Sequence, residues 1–175
     1  MSTLPLHPAI VHLPLGLAFA MPLVAIGLVL AHRLGRVRRH GFGILIGLQL
    51  LVVASGAIAM QLGERDAKRV EPIVGDAAVD AHEERAEAFV WAAGAVLAVS
   101  AALLVVPAGA VGAVGALAAA GTLVVAVLAA RTGEAGGAIV YARGGAAAFV
   151  VPSGGAAAGG TRVVPARHEG RSDDD

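Results

Sequence analysis

The chain has 175 residues, of which 57% are hydrophobic and 15% charged, against about 25% charged and about 45–50% apolar in an ordinary soluble domain. It therefore reads as lipid-facing rather than water-soluble. Cysteine is absent, which excludes disulfides, thiolate metal sites, a cysteine nucleophile, cysteine-held iron–sulfur clusters and covalent c-type haem, and a formal net charge of zero gives no argument for nucleic acid.

A spanning helix needs about 20 mostly apolar residues. The first such stretch runs from about Ala9 to Ala31, and residues 1–31 hold no Asp, Glu, Lys or Arg. A secretory leader would start with a basic region, so this span is expected to stay in the membrane. The second span runs from about Phe42 to Leu62, with Gln49 and Ser55 as interior polar residues. The third runs from about Ala86 to Val106. Pro107-Ala108-Gly109 then interrupts the apolar run as a turn, and the fourth span covers about Ala110 to Ala130. Small residues recur at helical spacing, as in Gly43 and Gly47, or Gly112, Gly115 and Ala119. Such faces let helices approach closely in lipid.

The link between spans one and two holds Arg33, Arg36, Arg38 and Arg39 and no acid. Short basic links stay in the cytoplasm. The 63–85 segment, expected as a loop between spans two and three, mixes acids and bases. Both termini and the 63–85 segment are therefore expected outside the cytoplasm, with the basic link and the 107–109 turn inside.

His7, His12, Glu64, His82 and the Thr132–Gly144 segment then collect at one end. Pro8 suits the first position of a helix, which places His7 at its cap and His12 about one turn inside. Pro14 frees the carbonyl of Ile10. Five residues separate the two histidines, so on a regular helix they point roughly 140° apart. Helical patterning begins at Asp76, with Asp76, Asp80, Glu83 and Glu87 on one stripe and Val79, His82, Ala86, Phe89 and Ala93 on the opposite one. His82 is thus aimed inward. Ionisable residues at membrane depth are costly and point to function. Imidazoles from two helices can hold a haem iron. The pair His12 and His82, with His7 as substitute, is expected to do so; the alternative is a metal site of His12, His82 and Glu64.

After the fourth span, Gly133, Gly136, Gly137 and Gly144 punctuate a segment that includes Thr132 and Tyr141. It lacks the Lys and Ser/Thr of a phosphate loop. The expectation is a short extended cap over the bundle end, with extended pieces at 138–141 and 147–151. Residues 146–175 turn Gly/Ala-rich, then polar, and end in three aspartates, the composition of a disordered tail.

Two motifs carry a resemblance. His7-Pro8-Ala9-Ile10-Val11-His12-Leu13-Pro14 and Thr132-Gly133-Glu134-Ala135-Gly136-Gly137-Ala138-Ile139-Val140-Tyr141-Ala142-Arg143-Gly144 resemble the opening and closing motifs of an uncharacterised bacterial membrane family, domain of unknown function 2231. The likeness covers about residues 5–145, with Leu13 standing where phenylalanine is usual. Some relatives are joined to cytochrome-like domains, so the resemblance implies a haem or electron-transfer context.

The expectation from these readings is an all-α membrane protein of residues 1–145: a four-helix transmembrane bundle with a short extended Gly-rich cap, in a bacterial inner membrane. Its expected role is that of a redox-type subunit, not a stand-alone enzyme, holding haem b at the outer face and meeting a redox partner protein. The alternatives are a cofactor-free structural or partner-binding protein, and a metal-binding or transport protein.

Overall fold

The structure, a computed structural model, describes residues 6–149. Among them every regular element is helical. A short helix α1 (His7–Ile10) leads through Val11 into α2 (His12–Arg33). Then follow α3 (Gly43–Val74), α4 (Asp76–Ala102) and α5 (Val111–Gly137). Four helices are long and apolar enough to cross a membrane. Each packs on its sequence neighbour, and α5 closes the ring against α2. The chain is a multi-pass, four-helix membrane bundle.

Exposure runs opposite to that of a soluble bundle. Leu23 is 76% exposed and Trp91 73%. Large apolar side chains at this exposure, repeated around the bundle, make a lipid-facing surface. The centre is filled by Met21, Phe42, Leu45, Val52, Phe89 and Val125, with alanines between them. Glycine allows the closest approaches. A Cβ on Gly56 would lie 3.2 Å from Val90 of α4, and one on Gly121 would lie 2.6 Å from Val96. Gly115 is likewise packed, against Val29, while Gly43, Gly47 and Gly112 have open space around them. Of the glycines at helical spacing only Gly115 is packed, and Gly121, outside that pattern, approaches its neighbouring helix more closely still.

Four expectations are corrected. The segment 63–85 is not a loop. Helix α3 continues to Val74, and the link to α4 is Gly75 alone, at φ +84°. Residues 64–74 are mostly helix-compatible, Glu64 and Lys68 stand at the favourable i, i+4 spacing, and Val70 and Val74 are buried. A left-handed backbone at Gly75 then reverses the chain at a position that favours glycine. The third span also stops earlier than expected, at Ala102, with turns over 103–107.

The extended cap is not formed. Thr132, Gly133, Gly136 and Gly137 lie inside α5, and a π-helical turn, Ala138–Ala142, carries Tyr141. Only Gly144, at φ +73°, turns the chain. A 3₁₀ turn, Gly145–Phe149, follows and packs on α3, where Ala148 and Phe149 join Val70, Val74 and Val79 in a small second core. The folded part thus extends to Phe149, past the expected boundary at 145. The expected disordered tail from 150 onward lies outside the described residues.

Polar groups within the spans are mostly held by their own helix. Ser100 donates to Val96 O at 2.8 Å and Thr122 to Ala119 O at 2.7 Å. Gln49 is different. Its Nε2 donates across to Ala93 O at 3.1 Å, while its Oε1 is buried without a donor. Interhelical hydrogen bonds in membranes average only about 0.6 kcal/mol. Gln49→Leu should therefore change stability by less than about 1 kcal/mol, because it removes an unpaired acceptor along with a modest bond. Thermal unfolding in detergent checks this. A loss of several kcal/mol would mean that the amide oxygen has a partner.

Candidate functional site

At the end of the bundle that holds the α3–α4 hairpin, two histidines meet. Pro8 occupies the first turn of α1, and Leu6 caps it. This start turns His7 toward α3, where its Nδ1 lies 2.7 Å from the carbonyl oxygen of Ala59. That bond assigns the proton to Nδ1, since a carbonyl only accepts. Nε2 of His7 is left with a free lone pair.

His82 comes from the inward stripe of α4. Asp76, Asp80, Glu83 and Glu87 are exposed, Val79, Phe89 and Ala93 are buried, and His82 is half-buried, as the stripe predicted. Nδ1 of His82 is buried with no partner. The two rings stand 6.1 Å apart, centroid to centroid, with their planes at 87°.

Each ring is seated on a glycine. A Cβ on Gly63 would stand 3.2 Å from the His7 ring, and one on Gly136 would stand 3.2 Å from the His82 ring. Thr132, one turn before Gly136, donates to Arg85 O at 3.0 Å and to Leu128 O at 2.9 Å, which ties α5 to α4 beside the pair. Gly133 packs against Leu15 of α2. The glycines and the threonine of the last motif thus serve close helix packing rather than a turn. Tyr141 is 88% exposed and has no part in the pair.

His12 is exposed and does not join His82. The reason is the angular offset of roughly 140° across five helical residues: once His7 faces α3, His12 faces outward. Glu64 is also exposed, and among the described residues no three His, Asp or Glu side chains stand close enough to hold one ion. The triad of His12, His82 and Glu64 is therefore not assembled. Glu64, Glu71 and Asp80 act on Glu83, on the exposed stripe of α4 rather than on the face that carries His82.

The geometry tests the two cofactor ideas differently. Metal–nitrogen bonds of about 2.0–2.1 Å on either side of one ion would separate two imidazole centroids by roughly 6 Å, close to what is found. A haem would need a macrocycle-wide slot between the rings. Both rings instead press on helix backbone, and two surface cavities among the described residues lie elsewhere. One is at the opposite bundle end, and the other is an outer groove beside Glu84, Arg131 and Glu134. The residues present do not fit haem. Comparison with known families, curated proteins and solved structures finds no match to the chain.

Proposed function

We propose that this chain is a membrane-integral subunit of redox type that holds a transition-metal ion at one end of its helix bundle, with His7 and His82 as protein ligands. One observation carries the reading: two imidazoles from different helices meet, and Nδ1 of His82 is buried with no hydrogen-bond partner among the described residues. Buried polar groups are almost always paired, so the unpartnered ring nitrogen of His82 supports a partner there, and a cation is one that neutral imidazole binds. Imidazole suits copper, zinc, iron and nickel. His7 donates its other nitrogen to a backbone carbonyl, the outer contact that orients a metal-binding histidine. Two ligands leave coordination positions open for water or a partner's donor. The exposed carboxylates of the α3–α4 hairpin raise the cation concentration at this end of the bundle. Charge bias places the arginine-rich end at the cytoplasm and the histidine pair on the opposite face of a bacterial cell membrane.

The test is metal analysis and an absorbance spectrum on one detergent-purified sample of the full chain. About one ion per chain is expected after equilibration with copper or zinc, falling to background in both His7→Ala and His82→Ala. His12→Ala should bind as the unchanged protein does. Equal binding by all three variants would sink the proposal. Soret absorbance lost on His7→Ala or His82→Ala would replace it with haem. Lowered thermal stability of the two variants, with no ion bound at any stage, would leave a purely structural pair.

A further inference from the structure

The opposite end of the bundle has chemistry of its own. We propose that it binds the phosphate of an acidic phospholipid in a cavity between the two links at that end. The cavity has a volume of about 420 Å³, and its wall includes His32, Arg38, Arg39 and His40 from the first link, with Ala108 and Val111 from the second. No carboxylate lies near in sequence: residues 1–63 and 88–133 contain neither Asp nor Glu. Arg33, Arg36, Arg38 and Arg39 therefore lack a counter-charge from either link.

The wall is built rather than incidental. The 3₁₀ turn Arg39–Phe42 sets Arg39 under the end of α4, where its guanidinium donates to the carbonyls of Leu104 and, at 3.1 Å, Val106. Its Nε is buried and has no partner. Nδ1 of His32 lies 2.9 Å from Val37 O and takes the proton, which leaves Nε2 free, and the ring packs on Phe42 at 5.5 Å. Basic pockets at the membrane boundary suit phosphate-bearing headgroups. The rim favours a lipid over free phosphate. Leu34 is 66% exposed and Val105 is 81% exposed, which gives acyl chains an apolar surface on either link.

The experiment uses the full chain in detergent and counts retained lipid by native mass spectrometry. The probes are dioleoylphosphatidylglycerol and dioleoylphosphatidylcholine, offered at equal concentration. The glycerol lipid should be retained in preference. Arg38→Gln, at the cavity wall, should weaken its retention about fivefold, the effect of one basic residue at a membrane surface. Arg36→Gln, on the same link but outside the cavity, should change it less than twofold. Equal retention of both lipids would overturn the proposal, and so would equal losses from Arg36→Gln and Arg38→Gln, which would reveal diffuse attraction without a site. A competing arm adds inorganic phosphate: displacement of the lipid assigns the site to the phosphate group alone, and no displacement assigns it to headgroup and chains together. Arg39 is left intact because it also holds the end of α4.

Discussion

Leucine in place of Gly136 will unseat His82, while leucine at the adjacent Gly137 will not. A Cβ alone at Gly136 stands 3.2 Å from the imidazole, whereas one at Gly137 meets nothing within 4 Å. Branched carbons beyond that Cβ have no room unless the ring turns away. Overpacking of this kind costs typically about 1–3 kcal/mol. The larger readout is metal binding. Displacing the surroundings of a metal ligand lowers affinity by about 10–100-fold, so Gly136→Leu should lose that much while Gly137→Leu keeps it. Equilibrium dialysis against copper or zinc and thermal unfolding of both variants give the comparison. Equal affinities in the two variants would separate the glycine seat from ion binding, and would weaken the case that His82 is a ligand.

The second large effect is at Arg39. The turn that follows α4 pairs the last helix carbonyls with its own N–H groups, while its own carbonyls point away from any helix and need an outside donor. Arg39 reaches three of the carbonyls in this region, those of Leu103, Leu104 and Val106. Hydrogen bonds to a charged group contribute about 1.5–3 kcal/mol each, and bonds sharing one guanidinium do not add. Arg39→Ala should therefore lower stability by roughly 3 kcal/mol. Arg39→Lys should recover only part of this, because an ammonium is a compact point charge rather than a planar fork. Unfolding midpoints in detergent measure both. If Arg39→Ala unfolds at the same temperature as the unchanged chain, the carbonyls of Leu103, Leu104 and Val106 are solvated and the end of the bundle is more open than described.

Much of this architecture was legible because lipid imposes simple rules. Apolar length located the four helices, and Pro107 with Gly109 located a turn. The acidic stripe of α4 correctly oriented His82. What misled was the assumption that polar sequence means a loop and glycine means a turn. The polar run from Glu64 to Glu71 stays helical, with Val70 buried. Gly133 and Gly136 stay helical because they lie under Leu15 and the His82 ring. A signal for the second case was present: Gly136 follows Thr132 by four residues, on the inward face of α5. The choice between His7 and His12 depended on which one the start of α1 turns toward α3. Periodicity gave the angle between them but not the absolute rotation. Arg39 was visible only as one of several basic residues in a link, since its partners are more than sixty positions away.

The length of α3 has a consequence for where the pair sits. Its 32 residues extend about 48 Å at 1.5 Å per residue, well beyond a hydrocarbon layer about 30 Å thick. Gly63, the seat of His7, falls near the point where the helix leaves the oil. Membrane thickness therefore acts as a setting on the imidazoles. A thin bilayer leaves them wetted and open to ions, and a thick one draws the acyl boundary up around them. The same polypeptide reconstituted in short-chain and long-chain lipids would then differ in how readily its histidines exchange with the aqueous phase, with no change in sequence at all.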